Sequence, residues 1–232
     1  MTASLLFDGI QTYIEVPDSA DFSVVTTGGL TISAWMRPDV LTFPTEEGAG
    51  YVHWLGKGEA EQQEWTFRMY GADTTAPADT RDPQGPTRSG RISFYVFNLD
   101  GGLGVGSYFQ DVLAAGTWIH VVGAADTSNT YIYRDGMLRK IEQYLPNITP
   151  AHGSANLRIG TRDLQSFFKG AIREVRIWSR CLQESEVAAL HGNGVVPQAG
   201  LVAEYLLSQD MAVDSAGSHN GNILSGSWVS AS

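Results

Sequence analysis

The chain is short of the parts that most catalytic and membrane-bound proteins carry. Its single cysteine, Cys181, excludes an internal disulfide and a thiolate metal cluster, and reads as a small buried side chain rather than a reactive thiol. No apolar run approaches the length of a membrane span, and Met1 to Phe7 offers neither the basic region nor the long apolar stretch of an export signal. Cations are scarce too: 15 Lys and Arg stand against 25 Asp and Glu, a formal charge of −10. Such a field repels phosphate backbones and anionic lipid, which argues against nucleic acid and membrane surfaces as partners.

Reaction machinery is equally sparse. There is no Gly-x-Ser-x-Gly, His-Glu-x-x-His, phosphate-binding loop or dinucleotide fingerprint. The five histidines, His53, His120, His152, His191 and His219, show no metal-ligand spacing. His120, in a strand beside Trp118, reads as a satisfied structural histidine. No strand carries carboxylates at alternate positions, the arrangement that aims an acid and a nucleophile into one cleft. Glu59, Glu61 and Glu64 come nearest, but they belong to a polar connection and read as solvated loop charges.

What is abundant is β-structure. With 43% hydrophobic residues the chain can bury a sizeable core, and its length suits one all-β domain over residues 1–232. Segments rich in β-branched and aromatic residues alternate with Gly, Pro, Asn and Asp clusters. In Leu30–Arg37, Leu30, Ile32, Ala34 and Met36 share one face, and Thr31, Ser33, Trp35 and Arg37 the other. Similar runs are Tyr13–Val16, Tyr51–Lys57, Glu64–Tyr70, Arg91–Asn98, Trp118–Ala125, Thr130–Arg134, Met137–Tyr144, Leu157–Thr161, Gly170–Trp178 and Leu201–Leu206. Asp135-Gly136 joins two of them, the pair that tolerates positive φ in a type I′ hairpin. One short helix is predicted near residues 183–191, closed by a left-handed cap at Gly192-Asn193-Gly194. Asp73–Ser89, with Pro77, Pro83 and Pro86, has no periodicity and reads as a long excursion between strands.

Taken in order, five segments resemble the laminin-G-like family of concanavalin A-type lectin jelly rolls: Phe7-Asp8-Gly9 leading to Tyr13–Ser19, Leu30–Pro38, Trp118-Ile119-His120 with the Tyr131–Gly136 hairpin, Leu157–Gly160, and Phe168–Trp178. They cover nearly the whole chain. The resemblance implies a two-sheet antiparallel jelly-roll sandwich in an extracellular or cell-surface setting.

It also implies a calcium candidate. Asp8, Asp18, Asp21, Glu174, Asp214 and Asn220 supply loop oxygens, and the family likeness pairs Glu174 with Asp214 and Asn220 as the metal ligands. Two departures matter. Arg173 stands where relatives commonly have Asp, and a guanidinium there repels a cation; Gln183 stands where they have Ser or Thr, a weaker helix cap. The bland alternative is that Asp214 and Asn220 are turn residues binding their own backbone.

The tail, residues 200–229, resembles what relatives carry before the Phe-Asp-Gly strand. Because jelly rolls place first and last strands together, the tail is expected to complete the sandwich beside the N-terminal strand. Either it closes its own domain, giving a monomer, or it completes a neighbour's sheet, giving a strand-swapped oligomer.

The implied function is recognition of a carbohydrate or glycoconjugate, in which aromatic faces meet sugar C–H faces beside a few orienting polar groups. The candidates are Trp54, Tyr70, Tyr108 and Phe167, near strand ends or glycines, with Arg81 and Arg88 from the excursion; Trp35, Trp118 and Trp178 are assigned to packing. A protein partner is the alternative, and a polysaccharide-active enzyme the third reading.

Overall fold

The computed structural model describes residues 4–192, 194–207, 212–225 and 227–229. The strands are β1 (Ser4–Asp8), β2 (Tyr13–Val16), β3 (Gly29–Pro38), β4 (Tyr51–Lys57), β5 (Trp65–Tyr70), β6 (Ile92–Phe97), β7 (Gly104–Phe109), β8 (Ile119–Asp126), β9 (Asn129–Arg134), β10 (Met137–Gln143), β11 (Leu157–Ile159), β12 (Lys169–Trp178), β13 (Leu201–Tyr205), β14 (Asn222–Leu224) and β15 (Ser227–Val229). A 3-10 turn (Ala20–Phe22), helix α1 (Val24–Thr27) and helix α2 (Glu184–His191) complete the chain.

The strands form two antiparallel sheets of a jelly-roll sandwich. One runs β10-β9-β8-β3-β12-β1-β15, with β13 also paired to β12; the other runs β14-β2-β11-β4-β5-β6-β7. Side-chain alternation then decides what lies between them. Leu30, Ile32, Ala34 and Met36 of β3 face Trp54, Trp65, Phe67 and Phe94 of the second sheet in one apolar core, each fully buried. Burial of side chains this size contributes roughly 1.5–3 kcal/mol apiece.

Thr31 and Ser33, expected on a wetter face, are buried as well. The segment entering α2 covers Thr31, whose Oγ1 donates to Arg180 O at 2.8 Å and accepts from Leu182 N–H at 3.0 Å, while Ser33 Oγ pairs with His120 Nε2 at 2.8 Å. Under the helix, Val122, Tyr133, Trp178, Leu182, Val187 and Leu190 make a second, smaller core. Trp178 Nε1 donates to Pro197 O at 2.8 Å, and Trp35 stacks on His191 at 5.4 Å.

The Asp135-Gly136 hairpin has φ of 52° and 78° at its two turn residues, as a type I′ turn requires. The cap of α2 differs from expectation. Gly192 has φ −78°, outside the left-handed region, and Asn193 lies outside the described residues. At the other end Gln183 N–H donates to Glu186 at 2.8 Å, and Arg180 forks onto the same carboxylate at 2.6 and 2.8 Å.

In the tail, β13 pairs with β12, β14 with β2 and β15 with β1. Of the predicted segment 200–229, residues 208–211 and 226 lie outside the described residues.

Candidate functional site

The seven-stranded sheet turns a second face outward. In β5 the core takes Trp65, Phe67 and Met69, so Thr66, Arg68 and Tyr70 point out; in β6 the core takes Ile92, Phe94 and Val96, leaving Ser93, Tyr95 and Phe97. A bulge between His53 and Leu55 sends both Trp54 and Leu55 inward and leaves Tyr51 and His53 on the outer side, opposite Tyr70 and Arg68. Over this face lies a groove of about 730 Å³, floored by Tyr51, Arg68 and Phe97 and walled by Glu47, Glu59, Gln63, Arg162, Asp163 and Gln165.

Arg68 is the centre of the floor. Its guanidinium carbon lies 4.8 Å from the Tyr51 ring centre and 5.2 Å from those of Tyr95 and Phe97. Tyr95 and Phe97 themselves stack at 5.8 Å. Both rings lie across β7 where it has no side chains: a β-carbon on Gly106 would meet Tyr95 Cγ at 2.5 Å, and one on Gly104 would run into the Phe97 ring.

Behind Arg68 a hydrogen-bond chain fixes its direction. Arg68 Nε donates to His53 Nε2 at 3.0 Å, and a guanidinium has no acceptor to offer in return. The proton of His53 therefore sits on Nδ1 and goes to Glu47 Oε1, 2.9 Å away. Ser166 Oγ donates to the same Glu47 oxygen and accepts from His53 N–H at 3.1 Å. Beside them burial works against the Asp163 carboxylate, but the His53 ring 3.8 Å away and the Arg162 guanidinium bonded to it overcome it, holding its pKa below the ordinary range.

Four of the six residues expected to bind sugar do reach this outer face. Tyr70 and Arg88 meet there, Arg88 Nη1 donating to the Tyr70 hydroxyl at 3.0 Å. Arg81 and Tyr108 line a smaller recess with Tyr95, beside the 73–89 excursion. The rings, however, are covered. Tyr108 is 3% exposed, with Arg91 at 3.7 Å and Lys140 at 4.1 Å over its ring and its hydroxyl donating to Asp82 O at 2.6 Å.

Trp54 is corrected outright: it is 0% exposed and packs between the sheets 4.7 Å from Phe67. The bulge turns it to the core, which strand ends and nearby glycines do not reveal. Phe167 stands apart, against Tyr13 at 6.3 Å. The residues that floor and wall the groove, Glu47, Tyr51, Arg68, Phe97, Arg162 and Asp163, and the His53 and Tyr95 that hold Arg68 from behind and beside, were not singled out. One signal was available: aromatic and cationic side chains at the non-core parity of β5 and β6, where a solvated face would carry small polar ones.

The expected calcium ligands serve other partners. Both Asp214 oxygens accept backbone N–H groups, from Glu204 and Ala216 at 2.8 and 2.9 Å and from His219 at 3.0 Å; Asn220 Oδ1 accepts from Asp214 N–H at 3.0 Å. Glu174 lies 3.4 Å from Arg176 and 3.6 Å from Arg173. Two guanidiniums where a cation would sit make these three residues a poor fit to calcium.

Two other groups bring acids and a histidine within 4.8 Å: Asp18, Glu64 and His152, and Glu47, His53 and Asp163. In the first, the buried Lys57 ammonium already holds the cation position, donating to Glu64 and Gly153 O and lying 2.8 Å from Asp18. Glu64 is therefore a buried ion-pair partner, not the solvated loop charge expected; Glu59 and Glu61 are exposed. In the second, a metal on His53 Nδ1 would force the ring proton onto Nε2, against the Arg68 N–H.

No helix among the described residues is long and apolar enough to cross a membrane. No curated protein matches the chain in sequence at a significant level. Its structure is similar to that of a Bacteroides ovatus protein whose name proposes carbohydrate binding, at 17% identity and a TM-score of 0.65; that match covers 99% of this chain but only 60% of the other. A heptameric SAP-like pentraxin from Limulus polyphemus is similar at 13% identity and TM-score 0.60, covering 96% and 94%. The receptor-binding domain of a botulinum neurotoxin C/D mosaic serotype follows at 11% identity and TM-score 0.50, over 75% and 37%. At these identities the likeness is one of fold. The laminin-G-type family of the concanavalin A-like lectin/glucanase superfamily matches residues 8–188, most of the chain, and with two antiparallel sheets in jelly-roll order the protein belongs to that family.

Proposed function

We propose that the protein is a non-catalytic glycan-binding module whose site is the groove on the outer face of the seven-stranded sheet. One observation carries this reading: Tyr51, Tyr95 and Phe97 surround a guanidinium fixed from behind by His53, in an open groove walled by carboxylates and amides. Aromatic faces and oriented polar groups are what a sugar ring needs for C–H stacking and hydroxyl recognition. The name of the Bacteroides protein and the receptor-binding role in the neurotoxin domain's name agree with a binding function. A glycan array on the intact chain tests it. Specific hits that weaken about tenfold or more on Tyr51→Ala support the groove; a silent array overturns it and favours a protein partner.

Glycoside cleavage is the second reading, because Glu47 and Asp163 approach one another in the groove. Cleavage needs one carboxyl kept protonated by a raised pKa. Asp163 is shifted the other way, and Glu47 Oε1 is taken up by His53 and Ser166. Release of reducing ends from a bound polysaccharide, lost in Glu47→Gln, would restore the enzyme reading.

The module is proposed to work outside the cell as a single-domain monomer, its own tail closing both sheets through β14 and β15. Light scattering on the purified chain checks this; a dimer mass would point to strand exchange.

A further inference from the structure

The groove carries one cation without an acid. Glu47 is bonded to His53 and Ser166, Glu59 pairs with Arg158 at 3.4 Å, and Arg162 is paired with Asp163. Arg68 forms no ion pair among the described residues, and its sole hydrogen bond there is Nε to His53. Its Nη1 and Nη2 are not among the sealed, unpartnered nitrogens, so they open to the groove. A second guanidinium stands close by: Arg162, 4% exposed, lies 5.8 Å from the Phe97 ring that also faces Arg68, and its Nη1 is without a partner.

Taking the glycan groove as given, the geometry points to an acidic sugar residue as its ligand, with the carboxylate received by the free edge of Arg68. The two terminal N–H groups of a guanidinium form a planar fork that matches a carboxylate oxygen for oxygen. His53 and the rings hold that fork in place before the ligand arrives, so little side-chain freedom is lost on binding. Tyr51 and Phe97, the aromatic residues of the groove floor, then flank the sugar ring that bears the acid. The formal charge of −10 narrows the choice further. At distances beyond the Debye length of about 8 Å it is screened, but a densely sulfated chain brings many charges within that range. Isolated carboxylates, as in a uronic-acid or sialic-acid residue, suit one fork in an acidic protein.

The test is calorimetric titration of the intact chain with oligogalacturonate and sialyllactose, each against its neutral counterpart, galacturonate reduced to galactose and lactose. The expected result is at least tenfold tighter binding in one acidic arm, which also says which acid is read. Arg68→Lys and Arg68→Gln, with circular dichroism unchanged, should lose that preference while weak binding of the neutral sugar persists. Equal affinity for acidic and neutral sugars, or a preference that survives both substitutions, overturns the inference and leaves the glycan groove standing. Binding of no sugar at all overturns both. Should the variants fail to fold, the ratio in the unsubstituted protein decides.

Discussion

Gly106 lies directly beneath the ring of Tyr95, where a β-carbon would come within 2.5 Å of Cγ. The glycines of β7 are thus part of the groove's architecture, since any side chain there lifts the ring that flanks Arg68. Gly106→Val is expected to destabilise the fold by about 1–3 kcal/mol through overpacking, and to lower glycan affinity more than Gly116→Val does. Gly116 has open space around it but a φ of 77°, so it controls for strain without touching the groove. Denaturant melts and titration on both variants check the comparison.

Trp54 should behave as core. Trp54→Ala is expected to cost about 3–5 kcal/mol of stability, seen as an early denaturation midpoint. Trp54→Phe, which keeps most of the volume, should bind ligand like the parent once folded. A stable Trp54→Ala protein with selectively lost binding would contradict this placement.

Lys57 and Glu64 form a buried pair, 0% and 4% exposed at the side chain. Removing only the lysine, as in Lys57→Met, leaves an uncompensated carboxylate and should cost about 3–5 kcal/mol. The double variant Lys57→Met with Glu64→Gln should recover a large part of that loss, because no buried charge remains and Asp18 is exposed to water. A thermodynamic double-mutant cycle measures the coupling.

His120 predicts a pH dependence. Burial first, then the neighbouring His191, depresses its pKa to about 4. The unfolded chain, with an ordinary histidine pKa, binds the proton more readily than the fold does. Stability from this group is therefore complete above about pH 6.5 and is lost as pH falls toward 4, by about 2 kcal/mol at pH 5. His120→Asn should flatten that part of the profile. Unfolding free energies of parent and variant at pH 7 and pH 5 give the difference, and parallel profiles would sink the assignment.

Calcium removal is expected to do nothing to the fold. With Asp214 occupied by backbone amides and Glu174 between arginines, chelator should leave the melting temperature unchanged. A fall of several degrees that added calcium reverses would show that these residues rearrange around the ion.

Much of the sandwich was legible because its signals are local. Period-two alternation marked β2 and β4 to the residue, and Asp135-Gly136 marked its hairpin. β7 was missed because Gly104 and Gly106 dilute the β-propensity of the segment, and those glycines are explained only by the rings lying across them. Trp54 was misplaced because a bulge shifts inward and outward by one residue with no mark in composition. Glu64 looked like a loop charge because its partners, Lys57, Ser23 and Gly153, come from three different segments.

The order of residues alone determined that this chain makes alternating strands with turns between them, in the sequence its family shares, since each of those choices depends on neighbours within a few positions. Tertiary structure decided where recognition can occur. Glu47, Arg68, Phe97 and Asp163 become neighbours only when strands β4, β5 and β6 align and the loops around β4 and after β11 close over them. Which face a side chain takes, and which charge is left without a partner, depend on register and on contacts between segments distant in the chain.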